Sequence, residues 1–188
     1  MTKKKPWEVE DTIWKTEASW INWLRGMLRE GWKNYPLKII YKNSKKYQVE
    51  NTNPKSMKRF PRVSRIDCEI CGKTFPFDRV STEIDHIGES GTLRKITDVE
   101  SEIIRLFFVD LKKDLRVLCK SCHSIVSHQQ LHGISFEEAK LLKEVIAIIK
   151  ENTVDDIVDF CCSYGYFDCS NAAKRKANVE AILKEYCL

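Results

Sequence analysis

Two Cys-x-x-Cys pairs constrain the fold of this chain more than any other feature. The first is Cys68-Glu-Ile-Cys71, followed by Gly72, and the second is Cys119-Lys-Ser-Cys122. A two-residue gap lets both thiolates of a pair bind one ion, and Gly72 permits the tight turn behind the first pair. Four thiolates form a closed tetrahedral site, which is typical of structural zinc. The 47 residues between the pairs exceed the length of a compact zinc ribbon, so a folded segment must lie there.

Length and composition restrict the class of protein. The chain has 188 residues, of which 43% are hydrophobic, so we expect one domain, or one domain with appendages, around a packed core. No apolar run reaches the roughly 18 residues of a membrane helix. The charged N-terminus is not followed by the apolar region of a secretory signal, so we expect a cytoplasmic protein. In a reducing compartment, paired cysteines bind metal more often than they form disulfides.

Positive charge is concentrated in one segment. Residues 33–66 contain ten Lys or Arg and a single acid, Glu50, which gives that segment a charge of +9 in a chain whose net charge is +5. Such a block is typical of a polyanion-binding segment, and equally of a solvated, partly disordered arm. Because residues 43–66 are also rich in Asn, Ser and Pro, we predict a basic linker there.

Hydrophobic periodicity and capping residues predict the other elements. An amphipathic helix is expected over 17–34, ended by Pro36, with an apolar stripe of Trp20, Leu24, Met27 and Leu28. The centre is expected to form two strands and two helices, at 80–87, 98–108, 115–118 and 121–131. Beyond a capping box at Ser135, the chain is predicted to be a supporting helical subdomain.

The polar residues between and after the cysteine pairs have the chemistry of a hydrolytic site. Glu83-Ile-Asp85-His86 lies between the pairs, and His123 follows the second pair directly. Asp85 can hold a divalent cation, and His123 could complete that metal site. His86 can accept a proton from water near neutral pH, because the ordinary histidine pKa is about 6.5. The alternative is that each histidine is an ordinary hydrogen-bonded polar side chain.

These motifs, in this order, resemble the HNH endonuclease family in its zinc-containing form. The matching sequences are Cys-x-x-Cys, Glu-x-Asp-His-Ile and Asp-Leu-Arg-Val-Leu-Cys-x-x-Cys-His. Phe75-Pro76, the stretch Arg105-Leu106-Phe107 and the stretch 117–123 are closer to a phage-encoded branch. The resemblance covers about residues 66–128, and the flanks match more loosely.

The resemblance implies an α+β fold with a ββα-metal core. The expected divisions are an N-terminal helix and basic DNA-binding linker over 1–65, a nuclease core with a four-cysteine zinc site over 66–132, and a C-terminal helical subdomain over 133–188. By analogy His86 is the general base, while Asp85 and His123 hold a catalytic divalent ion such as Mg²⁺ or Mn²⁺. The four cysteines are then ligands of a structural zinc ion.

Two positions depart from the family pattern. Asp114 stands where the family usually has Asn, a residue that braces the loop carrying the base, so an aspartate there changes the charge. Val126 stands where the family often has Lys, and the nearby His128 is a candidate replacement or a second candidate metal ligand. These departures keep a non-catalytic, zinc-containing DNA-binding or adaptor module open as the alternative. RNA or a branched junction is a third, weaker substrate possibility.

The resemblance also gives the basic residues a role. We expect double-stranded DNA as the partner, bound through phosphates, with phage packaging or replication proteins as further candidate partners. The predicted nucleic-acid-binding residues are Arg25, Arg29, Lys33, Lys42, Lys45, Lys46, Lys55, Lys58, Arg59, Arg62 and Arg65. The other cysteines have poor ligand spacing and are predicted to be buried thiols; they are Cys161, Cys162, Cys169 and Cys187.

Overall fold

The computed structural model describes residues 3–78, 80–88 and 93–186 of an α+β chain. The chain divides into two compact units, Met1–His123 and Ser124–Leu188. The predicted α+β class is therefore confirmed, and the described residues contain helices and small antiparallel sheets. Cys187 lies outside the described residues.

The elements of the first unit follow in chain order. Its helices are α1 (Glu17–Lys33), α2 (Pro36–Ser44) and α3 (Val99–Phe107), and the start of α4 (Lys120–His132); short 3₁₀ helices cover Pro6–Glu8 and Ile96–Asp98. Its strands are β1 (Tyr47–Glu50), β2 (Arg62–Asp67), β3 (Thr74–Pro76), β4 (Thr82–His86) and β5 (Leu115–Cys119). The helices and strands predicted for the centre of the chain are confirmed to within a few residues.

Helix α1 begins and ends where local sequence signals place it. The Thr16 hydroxyl accepts a hydrogen bond from the backbone N–H of Ser19, which caps the first turn. Pro36 lies after the end of α1 and begins α2, since a proline at the first helical position sacrifices no hydrogen bond. The predicted apolar stripe is only partly correct. Ile21 is the buried residue of α1, whereas Met27 is 52% exposed.

The basic segment is not a linker. Strands β1 and β2 pair antiparallel, with Tyr47 opposite Arg65 and Glu50 opposite Arg62, and β3 pairs with the other edge of β2. The prediction failed because strand pairing here joins residues many positions apart, which local composition does not report. Most of the positive charge of this segment therefore lies on α2, on the two strands and on the loop that connects them.

The second sheet consists of β4 and β5, paired antiparallel. Thr82 lies opposite Cys119, Asp85 opposite Arg116 and His86 opposite Leu115. Helix α4 follows β5 without a break, so Cys119 and His123 are held on adjoining elements. The core of this unit contains Tyr41, Ile66, Ile84, Leu115 and Val117, with Trp32, Phe75, Phe77, Val109 and Leu111 packed against it.

The second unit has a separate helical core. After the rest of α4 it contains α5 (Phe136–Glu151), α6 (Val154–Ser163) and α7 (Ala172–Tyr186), as the periodicity predicts. Ser135 and Thr153 cap α5 and α6. The buried residues that form this core are Leu141, Val145, Ile157, Cys161, Cys169, Val179, Ile182 and Leu183. Two of the predicted buried thiols are thus confirmed, and Cys162 is half-buried.

In the described part of the chain, every helix is too short or too polar to cross a membrane.

Candidate metal centre and carboxylate–histidine site

The two Cys-x-x-Cys pairs come together in space. The sulfur atoms of the four-cysteine cluster, Cys68, Cys71, Cys119 and Cys122, all lie within 4.8 Å of one another. Cys71 Sγ and Cys119 Sγ are 3.9 Å apart. Ligands about 2.3 Å from a tetrahedral zinc ion stand about 3.8 Å from each other, so the spacing and the donor atoms fit this ion. The four cysteines could therefore bind a metal ion such as zinc.

Local structure aims each pair at the centre of the cluster. After β2 the chain reverses through Gly72, whose φ of +67° is costly for other residues, and the Gly72 N–H donates to the Cys68 carbonyl at 2.9 Å. The second pair spans the junction of β5 and α4, where the Cys122 N–H donates to Cys119 Sγ at 3.5 Å. The turn after β2 therefore contributes the first two thiols of the cluster, and the junction of β5 and α4 contributes the other two.

The thiols of the cluster have unequal proton affinities. Burial opposes ionisation of Cys68, but backbone N–H groups of Cys71, Cys119 and Ile70 outweigh it and lower the Cys68 pKa to about 7. Burial raises the pKa of Cys122, and its hydrogen bonds to the neighbouring thiols act in the same direction. A cation bound by the four cysteines would remove this difference in proton affinity, because every coordinating thiol is deprotonated.

Asp85 is held by a charged partner on the neighbouring strand. Arg116, its register partner on β5, donates from Nε and Nη2 to the same carboxylate oxygen, Oδ2, at 3.0 and 2.8 Å. Both side chains are largely buried, with 13% of Asp85 and 21% of Arg116 exposed. Such paired, charge-assisted bonds hold the Oδ2 atom in place. The Oδ1 atom takes no part in this pair.

His123 lies between two carboxylates. Its Nε2 is 3.7 Å from Asp85 Oδ1, and its Nδ1 is 3.4 Å from Glu83 Oε2. Alternation along β4 puts Glu83 and Asp85 on the same face of the strand, which α4 reaches through His123. The structure therefore brings together the predicted pair Asp85 and His123, and adds Glu83. Glu83 was assigned no role from sequence, although its position two residues before Asp85 is the signal that identifies it.

His86 occupies a different environment from Asp85. Alternation assigns it to the opposite face of β4, where its ring centroid lies 4.1 Å from that of Trp32. Its Nε2 is 3.2 Å from the Leu106 carbonyl oxygen. A carbonyl only accepts, so Nε2 carries the proton and Nδ1 remains basic. Burial lowers the pKa of His86, with the Arg105 charge acting in the same direction, which favours the neutral ring at pH 7.

Asp114 braces a loop. Its Oδ2 accepts from the Asp110 N–H at 2.7 Å, and its carbonyl accepts from the Ile87 N–H, directly after β4, at 2.8 Å. The loop before β5 is thereby tied to the end of the strand that carries His86. The Asp114 carboxylate bonds within its own loop rather than to the ring of His86.

Two more residues around the site were given no role from sequence. Trp32 on α1 contacts the His86 ring, and Lys38 on α2 places its Nζ 5.4 Å from the Trp32 ring centroid. Burial lowers the pKa of Lys38, while the charge of Glu83 opposes that change. These residues come from the N-terminal helices, and no spacing rule connects them to the central motifs.

The eleven predicted nucleic-acid-binding residues differ in how accessible they are. Three form hydrogen bonds or ion pairs with residues distant in sequence: Arg25 donates to the Leu93 carbonyl, Lys42 donates to the carbonyls of Asp78 and Thr82 at 2.8 and 2.9 Å, and Lys45 pairs with Glu69 at 3.1 Å. Arg65 is half-buried, and the others are exposed; these are Arg29, Lys33, Lys46, Lys55, Lys58, Arg59 and Arg62. The exposed group contains the cations most accessible to a phosphate backbone.

Comparison with protein-family models finds no match, and comparisons with curated proteins and with solved structures find none either. A functional assignment therefore depends on the residues and geometry of the site.

Proposed function

We propose that this chain is a metal-dependent DNA endonuclease of the HNH type, in which β4, β5 and the start of α4 form a ββα-metal core. The observation that carries the proposal is the 3.7 Å approach of His123 Nε2 to Asp85 Oδ1. One hard oxygen and one imidazole nitrogen are a suitable protein contribution for a divalent ion that keeps several water ligands. The chemical class is hydrolysis of a phosphodiester.

The proposed ligands of the catalytic ion are Asp85 and His123, and Arg116 orients Asp85. Because Arg116 binds Oδ2, the Oδ1 atom, 3.7 Å from His123 Nε2, is the oxygen that would hold the ion together with His123. Asp85 and His123 would hold a divalent ion such as Mg²⁺ or Mn²⁺, and the chemistry that it would supply is stabilisation of negative charge on the phosphate and on the leaving oxygen.

His86 is the proposed general base. Its Nε2–H is engaged by the Leu106 carbonyl, so Nδ1 is the atom that takes a proton from the attacking water. The contact with Trp32 restricts the ring orientation. Asp114 acts on His86 only as a positioning residue, by tying the loop before β5 to the residue that follows His86.

The four-cysteine cluster is the proposed structural zinc site. A closed set of four thiolates has no position for a substrate, so its role is to hold elements together. It joins the turn after β2 to the junction of β5 and α4. His123 follows Cys122 directly, which makes the zinc site a support for the catalytic ligand.

Duplex DNA is the proposed substrate, bound by the exposed cations through its phosphates. With one site per chain, we expect one strand to be cut per encounter. A phage origin, action in a host cytoplasm and phage packaging or replication proteins as partners are part of the same proposal, which rests on the HNH resemblance.

Plasmid cleavage tests the proposal. Supercoiled plasmid is incubated with the wild type, His86→Ala and His132→Ala, each with EDTA, Mg²⁺, Mn²⁺ or Ni²⁺. We expect metal-dependent conversion to open circles by the wild type and by the control His132→Ala, whose side chain is exposed on α4. His86→Ala should lose cleavage by a factor of about 10²–10⁴, the usual contribution of a general base. Equal cleavage by His86→Ala would sink the assignment of the base.

A second candidate function is a non-catalytic DNA-binding or adaptor module. The observation that favours it is the environment of His86, which is packed against Trp32 on the face of β4 opposite Asp85. No cleavage of DNA or RNA in any of the metal ions, together with retained binding in a gel shift, would establish this candidate over the first.

A further inference from the structure

The loop between β1 and β2, residues 51–61, is held in one conformation by its own hydrogen bonds. The Asn51 N–H donates to the Pro61 carbonyl at 2.9 Å, which closes the base of the loop. The Asn51 side-chain amide donates to Ser56 Oγ at 3.0 Å and to the Phe60 carbonyl at 2.7 Å. The Met57 N–H donates to the Asn53 carbonyl, and the Phe60 N–H donates to the Ser56 carbonyl, both at 2.8 Å. These bonds, of the kind found in helical turns, order residues 53–60. The backbone from which the exposed side chains of the loop project is therefore held in one conformation.

Those side chains combine positive charge with apolar surface. Met57 is 46% exposed in the middle of the loop, and Phe60 is 53% exposed next to Pro61 at its base. Lys55, Lys58 and Arg59 are their neighbours in sequence and are exposed, and residues 51–61 contain no acid. The Arg59 guanidinium carbon lies 5.2 Å from the Phe60 ring centroid, so a cation and an aromatic face are presented together.

The combination of cations and an exposed aromatic ring restricts the class of partner that fits the loop. A polyanion satisfies the three cations, but phosphates alone do not cover Phe60. An acidic protein surface would leave the aromatic ring against carboxylates. Nucleic acid provides both parts, because the flat faces of its bases become accessible beside its phosphates wherever stacking is interrupted.

We propose that the 51–61 loop is a wedge that inserts Phe60 at an unstacked step of duplex DNA, while Lys55, Lys58 and Arg59 bind the flanking phosphates. The inference rests on the proposed function, since it assumes a DNA substrate, and it names the class: duplexes with weakened stacking, such as those that contain a bulge. Opening a stacked step costs free energy, and this cost is lowest where pairing is already defective. The wedge therefore discriminates by DNA structure rather than by base sequence.

The test is binding by the full-length, zinc-loaded His86→Ala protein, which separates binding from cleavage. The probes are two DNA duplexes that carry 2-aminopurine beside one step, one fully paired and one with a single-base bulge at that step. We expect tighter binding to the bulged duplex and a change of 2-aminopurine fluorescence when the neighbouring base is unstacked. Adding Phe60→Ala should weaken binding to the bulged duplex by about tenfold or more, the usual effect of losing one base-stacking aromatic.

Two control variants distinguish insertion of Phe60 from non-specific binding to DNA. Phe108→Ala removes an aromatic residue that is 75% exposed at the end of α3, and it should leave both affinities unchanged. Lys58→Ala should weaken binding to both duplexes equally and reduce the slope of log affinity against log salt by about one. Phe60→Ala should leave that slope unchanged, and Phe60→Trp should restore the bulge preference.

Retention of the bulge preference and of the fluorescence change by Phe60→Ala would overturn the wedge. An equal loss in Phe108→Ala would do the same. These outcomes are independent of the plasmid assay: a protein that cuts no nucleic acid but shows the Phe60-dependent preference refutes the nuclease and keeps the wedge. Metal-dependent cleavage with no Phe60 effect keeps the nuclease and refutes the wedge.

Discussion

At the scale of single residues, the arrangement around Asp85 depends on which oxygen each neighbour uses. Arg116 binds Oδ2 twice, and His123 approaches Oδ1. A largely buried carboxylate is stable only when its charge is compensated, and here the guanidinium does this without occupying the oxygen that faces His123. One pair of residues thus supports the fold and orients a candidate metal ligand.

Removing that guanidinium should cost stability. We expect Arg116→Met to lower the free energy of unfolding by about 2 kcal/mol, because the Asp85 charge is left largely buried and unpaired. Urea denaturation of the zinc-loaded protein measures this. The control is Lys33→Met, which removes a well-exposed i,i+3 ion pair with Glu30 on α1 and should cost about 0.5 kcal/mol or less. Equal costs for the two variants would contradict the role of Arg116.

Glu83 should tune the proposed catalytic metal site through His123. A carboxylate that accepts from one ring nitrogen directs the other nitrogen at the ion, and loss of such a partner weakens metal affinity about 10–100-fold. We therefore expect Glu83→Gln to raise the Mn²⁺ dissociation constant about tenfold, as measured by electron paramagnetic resonance. Glu30→Gln, which alters an exposed glutamate on α1, is the control. Unchanged affinity in Glu83→Gln would remove Glu83 from the site.

At the scale of elements, the four-cysteine cluster and the helix caps both hold backbone segments in place, but over different distances in sequence. The cluster connects a turn to a strand–helix junction that lies far away in sequence, whereas each cap acts within its own first turn. A metal cross-link contributes folding free energy across elements, and a cap satisfies one or two backbone donors. We therefore expect removal of a cluster cysteine and removal of a cap to cause different losses of stability.

Loss of one cluster cysteine should unfold the first unit. We expect Cys119→Ser to release zinc and to lose the near-ultraviolet circular dichroism of the aromatic residues in that unit, since zinc binding by such small sites is largely folding free energy. Zinc content by elemental analysis accompanies the spectrum. Cys162→Ser, which changes a half-buried thiol outside the cluster, should retain both signals. Full zinc content in Cys119→Ser would contradict the assignment of the ligands.

Loss of a cap should have a smaller and local effect. The Thr153 hydroxyl accepts from the Asp156 N–H at 3.2 Å at the start of α6. We expect Thr153→Ala to destabilise the second unit by about 1 kcal/mol in thermal or urea unfolding. Thr153→Ser keeps the hydroxyl and should retain most of the stability, so equal losses in the two variants would refute the cap.

At the scale of the whole molecule, the chain has two units with separate cores. The four-cysteine cluster belongs to the first unit, and the second is held by apolar packing among α5, α6 and α7. The stability of the two units should therefore respond differently to metal.

Metal removal should separate the two units in unfolding. We expect a zinc chelator to lower the melting temperature of the first unit, while the helices of the second unit melt as before. Calorimetry of the full chain with and without chelator, followed by re-addition of zinc, measures this. A single transition that shifts as a whole would mean that both units depend on the metal site.

Features that depend on neighbours in sequence were predictable from the sequence alone. The helices follow from periodicity and caps such as Ser135 and Thr153, and each Cys-x-x-Cys pair follows from its own two-residue gap. The prediction that the two pairs come together in one cluster is confirmed; it followed from the usual role of paired Cys-x-x-Cys motifs as ligands of one metal ion.

Features that depend on pairing between distant segments were decided only by the tertiary structure. Residues 43–66 contain a hairpin, because β1 and β2 pair on either side of an eleven-residue loop. The composition of these residues had predicted a linker. Arg116 compensates Asp85 only because β4 and β5 pair in one register, and a shift by one residue would turn these side chains to opposite faces. Trp32 reaches His86 through core packing that no local pattern encodes. Local sequence therefore determined which groups are present, and long-range packing determined which of them meet.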